Sequence, residues 1–130
     1  MADKKCWMGM LVILLVFVIA CSGNNSSKSI DDLLAFFESS GITVSHRSGF
    51  WFHMAGAIDG CRSKLDGVSV EIYKYDPTDK GGKTVLENAR KNGIFSFLQV
   101  PCLINGSFII VPSDASQEQN NEINSVFQKF

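Results

Sequence analysis

The chain has 130 residues, 45 % of them hydrophobic, and carries twelve Lys and Arg against thirteen Asp and Glu. That size suits one domain with a short appendage. The near-neutral balance, with no basic run beyond Lys4-Lys5, argues against a phosphate-tracking surface, which needs clustered cations, so nucleic acid is not an expected partner.

The N-terminus has the three parts of an export signal: Lys4 and Lys5, then an apolar stretch of about a dozen residues, then small residues. A spanning helix needs about 20 apolar residues. Cys6 to Ala20 falls short of that, so the run reads as a segment that is removed and not as a permanent anchor. At Val18-Ile19-Ala20-Cys21 the segment resembles a bacterial lipoprotein lipobox, with Val18 where leucine is most usual. The bland alternative is an uncleaved signal anchor or an ordinary secretory peptide.

The resemblance implies that the Cys21 thiol receives a diacylglycerol, that the peptide is cut before it, and that the new amino terminus is acylated. Two or three acyl chains, at about 0.8 kcal/mol per buried CH₂, hold a protein stably on a bilayer where one chain is marginal. The expected partner at this end is therefore the membrane itself, and the expected location is extracytoplasmic. By the family's sorting rule Ser22, unlike an aspartate there, permits delivery to an outer membrane where the organism has one. The organisation expected is a signal peptide over 1–20, a lipidated cysteine with a flexible Ser/Asn/Gly tether over 21–29, and one domain over 30–130.

Within the domain, Ser29-Ile30-Asp31-Asp32 offers a capping hydroxyl with acids in the first turn. Ile30, Leu33, Leu34 and Phe37 then repeat at helical spacing, and Gly41 stops the helix. Residues 42–47, 50–54 and 68–75 are rich in β-branched and aromatic side chains and read as strands. Between them, residues 55–67 contain two Asp-Gly pairs and read as turns around a short helical piece. Thr84-Val85-Leu86-Glu87 has the capping-box pattern for a second helix ending near Gly93. Residues 95–104 and 107–111 flank Asn105-Gly106, a pair suited to a type I′ turn, and Pro101 marks an edge or bulge in the first of these strands. Ser116 opens a closing helix with Ile123, Val126, Phe127 and Phe130 on one face.

The order α-β-β-β-α-β-β-α predicts an α+β domain: a mostly antiparallel sheet of about five strands with helices packed on one face. That order is similar to the fold of bacterial secretion chaperones, a likeness of element order that transfers no function.

Chemistry is sparse. Gly81-Gly82-Lys83-Thr84 resembles the end of a P-loop, but the early glycine of GxxxxGK[ST] is Pro77 here, which has no N–H to offer a phosphate, and no cofactor is expected. His46 and His53, the only histidines, stand seven apart and face opposite sides of a strand, so with Cys61 they make a poor metal set. In an exported chain Cys61 and Cys102 are either one disulfide, closing a loop worth about 4 kcal/mol by chain entropy, or two buried thiols. Trp51, Tyr73 and Tyr75 form either a contact surface or part of the core. Two functions follow: a lipid-tethered, non-catalytic module that binds another envelope protein, or a small extracytoplasmic enzyme using Cys or His.

Overall fold

The computed structural model describes residues 24–130, so the signal segment and Cys21 lie outside the described residues. Helix α1 (Ile30–Ser39) begins where Ser29 and Asp32 close a reciprocal capping box, and it buries Ile30, Leu33, Leu34 and Phe37. Five antiparallel strands form the sheet: β1 (Val44–Ser48), β2 (Asp59–Leu65), β3 (Val68–Lys74), β6 (Leu103–Asn105) and β7 (Phe108–Ser113), in the order β1-β2-β3-β7-β6. Between β3 and β6 the chain forms helix α2 (Lys80–Asn92) and a separate two-stranded ribbon, β4 (Ile94–Phe95) with β5 (Val100–Pro101). Helix α3 (Gln117–Phe127) closes the fold from a second capping box, Ser116 with Gln119. The α+β class and the antiparallel five-stranded sheet are as expected.

The helices, however, occupy both faces. On the first face α1 and α3 meet over Cys61, Leu65, Val70, Ile72, Phe108 and Ile110, with Phe37 stacked on Phe127 at 6.4 Å. On the second face Leu86 and Ala89 of α2 pack with Tyr73, Tyr75, Phe95, Ile109 and Val111. Strand β7 explains the difference. Its run Phe108-Ile109-Ile110-Val111 is buried on both sides, so each face of the sheet needs a cover.

Three element assignments change. Residues 50–54 are not a strand; Phe52–Ala55 is one 3₁₀ turn closed by Gly56, and it lies over the sheet. The missing strand is β2, inside the stretch read as turns. Its Asp, Gly, Ser and Lys residues have low strand preference, but seven consecutive residues pair with β3, and Cys61, Ser63 and Leu65 point into the core. Helix α2 is capped by Asp79, whose carboxylate accepts from the Gly82 N–H at 3.0 Å. Thr84 lies inside the helix, its hydroxyl donating back to the Lys80 carbonyl. The glycine of the P-loop-like tract serves packing: a Cβ on Gly82 would run into the Asp76 carbonyl.

The β6–β7 connection is also displaced by one residue. Asn105 pairs with Phe108, so the loop is Gly106-Ser107, and only Gly106 has positive φ (58°), the pattern of a II′ and not a I′ turn. Asn105 is held in the strand because its amide donates to the Phe127 carbonyl at 2.8 Å, tying the hairpin to α3.

The expected flexible tether ends earlier than residue 29. Asn25 is only 2 % exposed. Its amide donates to the Asn105 carbonyl at 3.1 Å and accepts from the Ser107 N–H at 3.0 Å. Lys28 adds a hydrogen bond to the Phe130 carbonyl and sits over that ring. The described chain is therefore clasped to the β6–β7 turn from Asn25 onward.

Candidate binding site

A cleft of about 340 Å³ opens on the second face, between the 49–54 segment and the turn of the β4–β5 ribbon. Its floor is aromatic. Phe50 meets Tyr73 edge to face at 5.1 Å, and Tyr73 in turn packs on Phe95 at 4.5 Å.

One polar group is set into this floor. Glu71 accepts from Arg62 Nε at 2.9 Å and from the Tyr73 hydroxyl at 3.2 Å, while the Arg62 guanidinium lies 5.2 Å from the Phe50 ring centre. Burial, reinforced by the charge on Glu71, pushes the Tyr73 hydroxyl well above its usual range and keeps it a hydrogen-bond donor. Among the described residues Glu71 is the one carboxylate lining the cleft, and each of its oxygens accepts a hydrogen bond.

The rim is apolar and projects. Trp51 is 75 % exposed and Met54 62 %. Opposite them stand Phe97 and Leu98, at 50 % and 42 %. Local bonding fixes that second wall: the Gln99 N–H donates to the Phe95 carbonyl at 2.8 Å, and its side chain to the Ser96 carbonyl at 2.7 Å, with Gln99 at a φ of 54°. The four-residue turn so formed has no room to fold its own apolar side chains inward.

Of the three aromatics expected at a surface, the structure places one there. Trp51 is on the rim; Tyr73 is the floor at 2 % exposure; Tyr75 is wholly buried and donates to the Ala55 carbonyl at 2.9 Å. Tyr75 belongs to the core, because it continues the line of β3 one residue past its end and turns to the same side as Tyr73, toward α2 and Phe95. Met54, Phe97 and Leu98 were not expected. Met54 is freed by the 3₁₀ turn, and the other two come from a run that reads as one long strand but breaks at Ser96-Gln99.

Cys61 and Cys102 are free thiols, one in the core of the first face and the other against the second, so the sheet lies between them and no bridge forms. Burial pushes both up to about 11, which keeps them protonated at neutral pH. His46 and His53 are exposed on separate elements. Among the described residues no three His, Cys, Asp or Glu side chains converge as a metal site, and no helix is long and apolar enough to cross a membrane. No protein-family model matches the chain, and neither a curated protein nor a solved structure does.

Proposed function

We propose that this chain is a lipid-anchored protein of the bacterial envelope, held at Cys21 on the extracytoplasmic side of a membrane, and that its domain is a non-catalytic docking module. The observation that carries the second half is the cleft: four apolar side chains from two separate segments project around a floor whose carboxylate is already paired with Arg62 and with the Tyr73 hydroxyl. Such a surface offers contact area and no unpaired acid, base or nucleophile, and exposed apolar clusters of this kind mark interaction sites. The lipobox resemblance at Val18–Cys21, with Ser22 after it, supports the first half. An enzyme built on Cys61 or Cys102 has less behind it, since both sulfurs are thiols and not thiolates near neutrality.

The test has two parts. Mass spectrometry of protein from its native host reports whether residue 21 is acylated. A photoreactive residue at position 98 reports what touches the cleft in intact cells. Crosslinks that vanish on Trp51→Ala, in a variant with unchanged thermal stability, are expected. Labelling that is indifferent to Trp51 would remove the cleft from consideration.

A further inference from the structure

We propose that the surface occupying this cleft is the bilayer itself: Trp51, Met54, Ile58, Phe97 and Leu98 seat in the headgroup region of the membrane that holds the acyl chains, an inference that rests on the lipid anchor at Cys21. Reach is the first reason. Asn25 is clasped to the Gly106-Ser107 turn. Only three residues separate Asn25 from Cys21, four Cα steps with a contour of at most about 14 Å. That turn is therefore held beside the lipid headgroups.

The apolar rim begins at the same end of the sheet. Ile58, 57 % exposed, donates its N–H to the Lys74 carbonyl, and Lys74 pairs with Phe108, the residue after the clasped turn. Two strand spacings, about 10 Å, separate Ile58 from the clasp. From Ile58 the chain runs back through Gly56 to Met54 and Trp51, so the rim continues from the clasped end onto the second face.

Composition is the second reason. A tryptophan among Met, Ile, Phe and Leu is the mixture favoured at a membrane–water boundary, where an amphipathic ring sits at headgroup level. Among the described residues no unpaired carboxylate lines the cleft to oppose approach to anionic lipid, since Glu71 is paired with Arg62. The anchored domain would then lie with its second face down and the opposite helices, α1 and α3, toward the aqueous side.

The protein supplies its own probe. Its two tryptophans are Trp7 and Trp51, so Trp7→Phe leaves Trp51 as the sole emitter whether or not the signal segment is removed. The full-length acylated protein would be reconstituted into phosphatidylethanolamine–phosphatidylglycerol vesicles, with and without brominated acyl chains. Loss of Trp51 emission to the brominated lipid, a shift of its maximum to shorter wavelength, and protection from aqueous acrylamide are expected. Emission indifferent to bromine, in protein whose Cys21 is acylated by mass spectrometry, would overturn the bilayer assignment and leave the anchor standing. That includes protection from acrylamide without bromine quenching, which would place a second copy in the cleft. An unmodified Cys21 sulfur would overturn the anchor, and this inference with it.

Discussion

Asn25→Ala should be among the most damaging single substitutions outside the apolar core. The side chain is buried and makes two hydrogen bonds, to the Asn105 carbonyl and from the Ser107 N–H. Alanine leaves both backbone groups without that partner, and the Ser107 N–H lies in a buried residue with water excluded. A net bond is worth about 1 kcal/mol, while an orphaned buried group costs about 1–3 kcal/mol, so the loss is about 2–3 kcal/mol. For a domain of this size that is on the order of 10–20 °C in melting temperature. A second substitution makes the reasoning specific. Gly106 has a φ of 58°, and a Cβ there would collide with the Asn25 amide. Gly106→Ala therefore carries about 1–2 kcal/mol of backbone cost and a clash besides. With Asn25→Ala already present the clash disappears and only the backbone cost remains, so the double variant should be more stable than additivity predicts, by about 1 kcal/mol. Urea denaturation followed by far-ultraviolet circular dichroism measures all four corners of the cycle. Strict additivity, or a single-variant loss below about 0.5 kcal/mol, would show that residues 24–29 are not fastened to the domain as described.

Asp79→Ala should cost about 1 kcal/mol by uncapping α2, whereas Thr84→Ala should be close to neutral; the reverse order in thermal melts would restore the helix start suggested by the capping-box pattern. Tyr75→Phe removes a buried donor from the Ala55 carbonyl and should lower stability by about 1 kcal/mol, measured in urea, without altering contacts made at the cleft. Cys61 and Cys102 should resist iodoacetamide at neutral pH and react quickly once the chain is unfolded. Their thiols ionise near 8.5 in an unfolded chain and are pushed to about 11 in the folded one, so the unfolded state releases protons first. Stability should hold below about pH 8.5 and fall between there and pH 11, with Tyr73 and Tyr75 steepening the loss at the upper end; urea midpoints that stay flat across that window would contradict the burial of these groups.

The parts of the fold legible in the sequence are those fixed by local bonding. Ser29 and Ser116 each close a capping box ahead of apolar residues at helical spacing, and Val68, Val70 and Ile72 alternate on β3. What is illegible depends on partners far along the chain. Asp59-Gly60 and Asp66-Gly67 are the same dipeptide with different fates. Asp66 and Gly67 both take positive φ and make the tight β2–β3 turn, while Asp59 and Gly60 lie within β2, paired with Lys74 and Tyr73. Nothing local separates them; the register with β3 does. The Asn105-Gly106 turn moved for a similar reason, because Asn105 is held by α3 and Ser107 by Asn25. The apolar run of β7 did carry the information that both faces are covered, and with it the burial of Tyr73 and Tyr75.

The cleft follows from the unequal covering of those two faces. Five strands span about 19 Å across the sheet, and one helix with its side chains is about 10–12 Å wide. Two helices suffice on the first face, α1 toward β1 and β2, and α3 toward β6, where Asn105 and Ile104 bond its end. Of the described helices only α2 lies on the second face, over β7 and β6. The β2–β3 side is left to two non-helical segments, the 49–55 stretch and the ribbon turn at 96–99, which meet over Tyr73. Segments of that length can shield Tyr73 but cannot also bury the outer halves of their own apolar side chains. Trp51, Met54, Phe97 and Leu98 are thus left facing outward by the geometry of the sheet. A second helix over the β2–β3 side of that face would have buried them; the two short segments there leave an apolar seam instead.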